Sequence, residues 1–343
     1  MSTASARRRL QVGLIGLGRL GRIYARDLSS RIAETRLVAV ADTNPAAAKE
    51  IAAECDVPAW YDSTEKLLAD RHVEAVVVVS PTHTHREVVL LAAERRVPTF
   101  CEKPLALSLA ECREMQTAVD RHGTFFQMGF MRRFDPGYAA AKRQVDEGKI
   151  GRPVVFKSTS RDPFPPSLEY ANPASSGGIL VDMGIHDFDL ARWFMGDVRR
   201  VAAIGGVLAY PELASVGDID NAIASMVFAD GRLGVIDLTR NGFYGYDIIT
   251  EVLGTEGTVR IGYIRETPIT MMTKNMVSHD TVPYFMERFE RAYTRQLQDF
   301  AQNVLHAREP PVKIRDGVEA LRVALAAAQA YRTGTSVEVS TIQ

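Results

Sequence analysis

Leu10-Gln11-Val12-Gly13-Leu14-Ile15-Gly16-Leu17-Gly18-Arg19-Leu20-Gly21 decides the fold. An apolar β-rich run passes into three glycines at the spacing G-x-G-x-x-G, and a helical pattern follows to about residue 30. Each glycine has a task. Gly16 permits the tight turn, Gly18 lets the backbone approach a pyrophosphate, and Gly21 lets helix pack on strand. The N–H groups that open the helix, at Arg19, Leu20 and Gly21, supply donors for phosphate oxygens. The stretch therefore predicts a dinucleotide site at the end of a first strand.

Outward from that turn the pattern repeats. LVAVAD (37–42), a helix through 46–55, AVVVVS (75–80), a helix over 84–95, VPTFC (97–101), a helix over 108–121 and TFFQMG (124–129) alternate strand with helix, as parallel strands with crossovers require. AVVVVS is apolar at nearly every position, which suits a strand covered on both faces. Beyond about residue 150 the texture changes to VVFKSTSR (154–161), RVAAIGGVL (200–208), AIASMVFA (222–229), RLGVIDLTR (232–240), DIITEVLG (247–254) and TVRIGYI (258–264). Turns such as Ala229-Asp230-Gly231-Arg232 join them, so this half reads as a largely antiparallel sheet. Helical segments are expected at 178–195, 284–306 and 316–332, and the Pro-rich DPFPPSLEYANP (162–173) reads as an irregular loop. The expected fold is α/β: an N-terminal Rossmann, doubly wound parallel sheet over 1–130, with a loose tail at 1–8. An α+β domain with an open, largely antiparallel sheet follows over 131–343, and its C-terminal helix can pack back on the first domain.

The 343 residues carry 41 Lys plus Arg against 42 Asp plus Glu, so no extended field favours nucleic acid or an anionic bilayer. Cys55, Cys101 and Cys112 show no C-x-x-C pairing, which suits reduced thiols in a cytoplasm. No stretch approaches the roughly 20 apolar residues of a membrane span. The partner implied is a small molecule.

Asp42 ends the second strand, where a carboxylate can accept from the adenosine ribose hydroxyls and repel a 2′-phosphate, so NAD is expected over NADP. At the next carboxyl edge, Ser80, Thr82 and His85 of Ser80-Pro81-Thr82-His83-Thr84-His85 can meet ribose or nicotinamide. His83 and His85 lack the further ligands of a metal centre, so no metal is assigned and a solvated or helix-N-terminal histidine is expected. Glu102-Lys103-Pro104 ends the fifth strand, and Lys103 can donate to a substrate hydroxyl as its proton leaves. In Gly177-Gly178-Ile179-Leu180-Val181-Asp182-Met183-Gly184-Ile185-His186, Asp182 and His186 are four apart, on one face of a helix. A histidine kept basic by a carboxylate is what alcohol oxidation asks of a general base. Asp187 and Asp189 crowd the same stretch, and spacing does not decide which carboxylate meets the histidine.

Together these motifs resemble the family of glucose-fructose oxidoreductase, inositol dehydrogenase and rhizopine-catabolism proteins (Gfo/Idh/MocA) over nearly the whole chain. Gly129-Phe130-Met131-Arg132-Arg133-Phe134-Asp135, Asp182 to Asp189 and Tyr244-Gly245-Tyr246-Asp247 are most similar to inositol 2-dehydrogenases. The resemblance implies that Lys103, Asp182 and His186 form a catalytic triad with His186 as base. It implies too that Arg133 and Tyr244 line the substrate pocket, that Glu102 belongs with the cofactor residues, and that the Lys103–Pro104 peptide is cis. Arg161 and Asp162, at a strand end beside the Pro-rich loop, are further substrate candidates. The expected reaction is NAD-dependent oxidation of a ring hydroxyl of a cyclic polyol, myo-inositol to 2-keto-myo-inositol. Scyllo-inositol or an aldose such as glucose is the alternative, and a non-catalytic sugar-binding regulator the remoter one. Apolar alternation in the second sheet, with the resemblance, implies a cytoplasmic homotetramer built through that sheet.

Overall fold

The computed structural model describes residues 8–343, so 1–7 of the expected tail lie outside it. Arg8 itself pairs with Glu74 at 3.0 Å. By its contacts the chain forms two units, one of the described residues to Phe130 with Tyr293–Val318, the other of Met131–Ala292 with Glu319–Gln343.

In the first unit six strands run parallel, β1 (Leu10–Ile15), β2 (Thr35–Ala41), β3 (Ala59–Tyr61), β4 (Ala75–Val78), β5 (Thr99–Glu102) and β6 (Phe126–Gly129). Their order is β3-β2-β1-β4-β5-β6, so the winding reverses between β1 and β4 and opens a crevice at the carboxyl ends. Val76, Val77 and Val78 of β4 have no exposed surface, and each contributes at least about 1.5 kcal/mol of apolar burial. The segment from Tyr293 completes this core, with Phe300 against Phe100 (ring centroids 5.9 Å) and Phe125 (5.8 Å). The Met128 N–H donates to the Val312 carbonyl at 2.9 Å.

The second unit is built on β7 (Pro153–Arg161), β8 (Val198–Gly206), β9 (Asn221–Phe228), β10 (Leu233–Thr239), β11 (Asp247–Gly254) and β12 (Thr258–Ile261), with the short strand Val337–Glu338. Their order is β12-β11-β7-β10-β9-β8-terminal strand. The sheet is antiparallel except at β7 and β10, which pair in parallel from Leu233↔Val155 to Thr239↔Arg161. Burial alternates strictly along β9, so one face packs Ala224, Met226, Phe228, Ile236 and Ile248 inward and the other stays open.

Two local differences from the expected pattern have visible causes. A helix at Pro136–Asp146 follows Asp135, whose carboxylate accepts from the Gly137 and Tyr138 N–H groups, with Pro136 in the first turn. The Pro-rich segment is not wholly irregular either. Ser167 caps a helical turn at Leu168–Ala171, and Asn172 caps another at Pro173–Ser176.

Candidate active site

The first unit presents the glycine turn. Gly16 has φ +94°, a left-handed backbone, and a Cβ there would lie 2.5 Å from the Ser80 nitrogen, so glycine alone lets β1 meet the end of β4. Gly18 is exposed, has nothing within 4 Å of a would-be Cβ, and sits at the N-cap of the helix Arg19–Arg26 with no side chain capping it. That open, uncapped helix start is a cradle that fits a pyrophosphate. Asp42 accepts from the Leu17 N–H with one oxygen and from the Asn44 N–H with the other, both at 2.8 Å. It thus opens the turn and fixes the glycine loop, and each oxygen keeps a lone pair for a ribose hydroxyl.

Ser80 and Thr84 hydroxyls pair at 2.7 Å over the first turn of the helix Thr82–Glu94, and Thr82 is half-buried there. His85 is buried rather than solvated, its ring nitrogens 3.0 Å from the Pro104 carbonyl and 2.9 Å from that of Ser80. Burial pushes its pKa down, so the ring is neutral and donates to only one of the two carbonyls. It ties the ends of β4 and β5 together. Glu102 also turns inward, accepting from Tyr24, from Gln296 at 3.0 Å and from the Lys103 N–H at 3.1 Å. Burial raises its carboxyl pKa. The next residue, Lys103, is half-buried at the carboxyl edge, and its bond to Pro104 is cis.

The second unit carries Asp182 and His186 on consecutive helical turns, Ile179–Asp182 and Gly184–Met195, which only Met183 interrupts. The turn before them needs both glycines. Gly177 and Gly178 have φ +82° and +74°, and a Cβ on Gly178 would come 2.8 Å from an Asp218 carboxylate oxygen. The crowd of acids is sorted by partner. Asp187 binds Arg132 at 2.7 Å and the hydroxyls of Ser158 and Ser160, all of them buried. Asp189 accepts from Nε and Nη2 of Arg133, at 2.9 and 2.5 Å. Asp182 accepts from the Tyr170 hydroxyl at 2.9 Å and faces Arg240 at 3.7 Å.

The substrate candidates fall into separate groups. Arg161 donates to Asp237 at 2.7 Å and to the Tyr244 hydroxyl at 3.2 Å, and Tyr244 donates to Asp247 at 2.7 Å. Arg161 and Tyr244 are thus brought together, and the pairing with Asp237 raises the Arg161 pKa further. Arg161 projects with Asp237 toward the open face of the sheet, opposite to Ser158 and Ser160. Arg133 is held on Asp189 with its guanidinium 5.6 Å from the Trp193 ring. Asp162 follows β7, its N–H donating to the Thr239 carbonyl at 2.9 Å.

A model described as an oxidoreductase family, NAD-binding Rossmann fold, matches residues 10–130, and one for the C-terminal alpha/beta domain of the same family matches 142–339. The chain belongs to this Gfo/Idh/MocA oxidoreductase family. Among its relatives, scyllo-inositol 2-dehydrogenase (NAD(+)) of Bacillus subtilis is 38% identical over 331 residues, 96% of each chain. Myo-inositol 2-dehydrogenase of Thermotoga maritima is 38% identical over 335 residues, 97% of this chain and 99% of that one. Among solved structures, scyllo-inositol dehydrogenase from Lactobacillus casei with bound NAD(H) and scyllo-inositol superposes with a TM-score of 0.93 at 32% identity, covering 97% of this chain and 100% of that one.

As a family member the chain carries an NAD-binding Rossmann domain, and the charge on Asp42 makes its cofactor preference testable. Asp42→Asn keeps an acceptor for one backbone N–H and removes the repulsion of a 2′-phosphate. The ratio of kcat/KM with NADP to that with NAD should rise about ten- to a hundredfold, as removal of a like-charge contact allows. An unchanged ratio would place cofactor choice elsewhere. Sequence reading missed Tyr170 and Arg240, since neither stands in a motif. The one available signal was the unusual length of polar and proline residues ahead of Gly177.

Proposed function

We propose that this protein is an NAD-dependent inositol 2-dehydrogenase that oxidises myo-inositol to 2-keto-myo-inositol. The observation that carries the reading is the Asp182/His186 helical turn on a chain whose N-terminal part is an NAD-binding Rossmann domain. Residues 1–130 bind the cofactor in this account, and the later domain binds the polyol. Bound NAD supplies the hydride acceptor. His186 takes the hydroxyl proton as the C–H bond breaks, leaving a ketone and an imidazolium. Asp182, one helical turn earlier, is the carboxylate that steadies the imidazolium in this reading. Lys103 donates to the same oxygen while negative charge develops on it. Lys103 offers donors, and Asp162 and Asp182 acceptors, for a ring with a hydroxyl on every carbon, whereas Arg161 and the Tyr244 hydroxyl are bound to each other and to Asp237 and Asp247.

Scyllo-inositol is the second reading, favoured by the Bacillus subtilis relative. The two isomers differ only at the carbon that is oxidised, and both give the same ketone. Initial rates therefore separate them. The proposal expects the highest kcat/KM with myo-inositol, a lower one with scyllo-inositol and the lowest with glucose; a reversal between the isomers installs the second reading.

Cys55, Cys101 and Cys112, none of them in a disulfide, suit a reducing cytoplasm, and the open sheet face supports assembly as a homotetramer. Ile204 and Ile223 are cross-strand neighbours on it, 70% and 48% exposed, and Leu233 and Leu253 lie on the same face. A second copy of the same face would cover them by two-fold symmetry. Light scattering should give the mass of four chains, and a monomer mass at working concentration refutes this assembly.

A further inference from the structure

Arg240 is the largest fully buried side chain of the described residues, at 1% exposure, and none of its guanidinium nitrogens makes a hydrogen bond. A buried cation with unsatisfied donors is costly unless charge compensates it. Two carboxylates do so here. Arg240 Nη2 lies 3.2 Å from Asp218 Oδ2 and 3.7 Å from Asp182 Oδ2. Asp218 is itself fixed, since its other oxygen accepts from the Ile179 N–H at 3.0 Å at the start of the helical turn that ends in Asp182. On the opposite side Tyr170, from the helical turn inside the Pro-rich segment, donates to Asp182 Oδ1 at 2.9 Å.

We propose that Tyr170 and Arg240 are positioning residues for Asp182, Tyr170 by its hydrogen bond to Oδ1 and Arg240 by its charge beside Oδ2, so that the Pro-rich segment 162–173 acts on the catalytic carboxylate through the Tyr170 hydroxyl. The inference rests on the reading of Asp182 as part of the catalytic machinery. Its physical content is orientation and charge together. A hydroxyl bonded to one oxygen and a guanidinium charge beside the other orient the carboxylate. The groups around Asp182 are Tyr170, Arg240 and Asp218 across the guanidinium, with Tyr284 acting on Tyr170, and His186 follows four residues later in the next helix. Asp182 in turn pushes the Tyr170 phenol pKa well up, which keeps that hydroxyl a donor at every working pH.

The test compares Tyr170→Phe, Arg240→Lys and Asp182→Asn with wild type, measuring kcat and KM for myo-inositol against pH and NADH binding by fluorescence. Loss of the Tyr170 donor lets the Asp182 carboxylate turn, so Tyr170→Phe changes kcat rather than KM. Its kcat should fall about tenfold, the scale of a hydrogen bond to a charged group, with NADH affinity unchanged. Arg240→Lys keeps the charge but loses the planar guanidinium, and should also lower kcat. Tyr170→Phe, half-exposed and keeping its ring, decides the matter even where Arg240→Lys fails to fold. A Tyr170→Phe enzyme with wild-type kcat, or with a change in KM alone, overturns the proposal. Full activity in Asp182→Asn, or no polyol oxidation by wild type, instead overturns the functional reading beneath it.

Discussion

His186→Ala should lose about 10²–10⁴ in kcat for inositol oxidation, the usual contribution of a positioned general base. NADH binding should stay at the wild-type value. The two readouts separate because His186 stands in the second unit, on Gly184–Met195, whereas the glycine turn and Asp42 belong to the first. Its neighbours in sequence do not depend on it. Asp187 and Asp189 are engaged by Arg132 and Arg133, so the helix keeps its buried anchors when the imidazole is removed. A solvent base at high pH should recover part of the lost rate, as the hydroxyl proton then has another acceptor. Normal turnover in this variant would remove His186 from the mechanism.

Lys103→Met should cost about 10²–10³ in kcat, the magnitude seen when one donor to a developing oxyanion is removed. The local structure should survive. Glu102 holds the Lys103 backbone N–H rather than its ammonium, and His85 holds the Pro104 carbonyl, so neither support passes through the Lys103 side chain. Lys103→Arg should recover less than charge alone suggests, since a planar guanidinium is longer and forked. An equal loss in NADH affinity would mean that Lys103 serves mainly the cofactor. Measuring kcat, KM and NADH binding on one preparation distinguishes the outcomes.

The fold was largely legible because its signals are local. The glycine turn, the all-apolar β4 and the switch to alternating strands after residue 150 each declare themselves within about ten residues. Parallel pairing of β7 with β10 did not, because register between strands so far apart in sequence is set by the assembled sheet. β3, only Ala59–Tyr61 and half-exposed at a sheet edge, has too little apolar pattern to stand out. Asp135-Pro136 does carry a readable helix start at Pro136–Asp146, an N-cap followed by a first-turn proline.

The site was legible in its motif residues and not in their partners. Asp182, Asp187 and Asp189 are chemically equivalent in sequence, and only folding assigns them Tyr170 with Arg240, Arg132, and Arg133 respectively. His85 shows the same limit. Its place in a helix start predicted exposure, whereas packing between β4 and β5 buries it against two carbonyls. Glu102 likewise supports the strand end from within, through Tyr24 and Gln296.

The most direct test of the account is NADH formation when the purified protein is mixed with NAD and myo-inositol at neutral to mildly alkaline pH. The account predicts steady NADH production with 2-keto-myo-inositol as product, and far less with NADP. Absence of NADH from myo-inositol and from scyllo-inositol, with NAD binding intact, would contradict it.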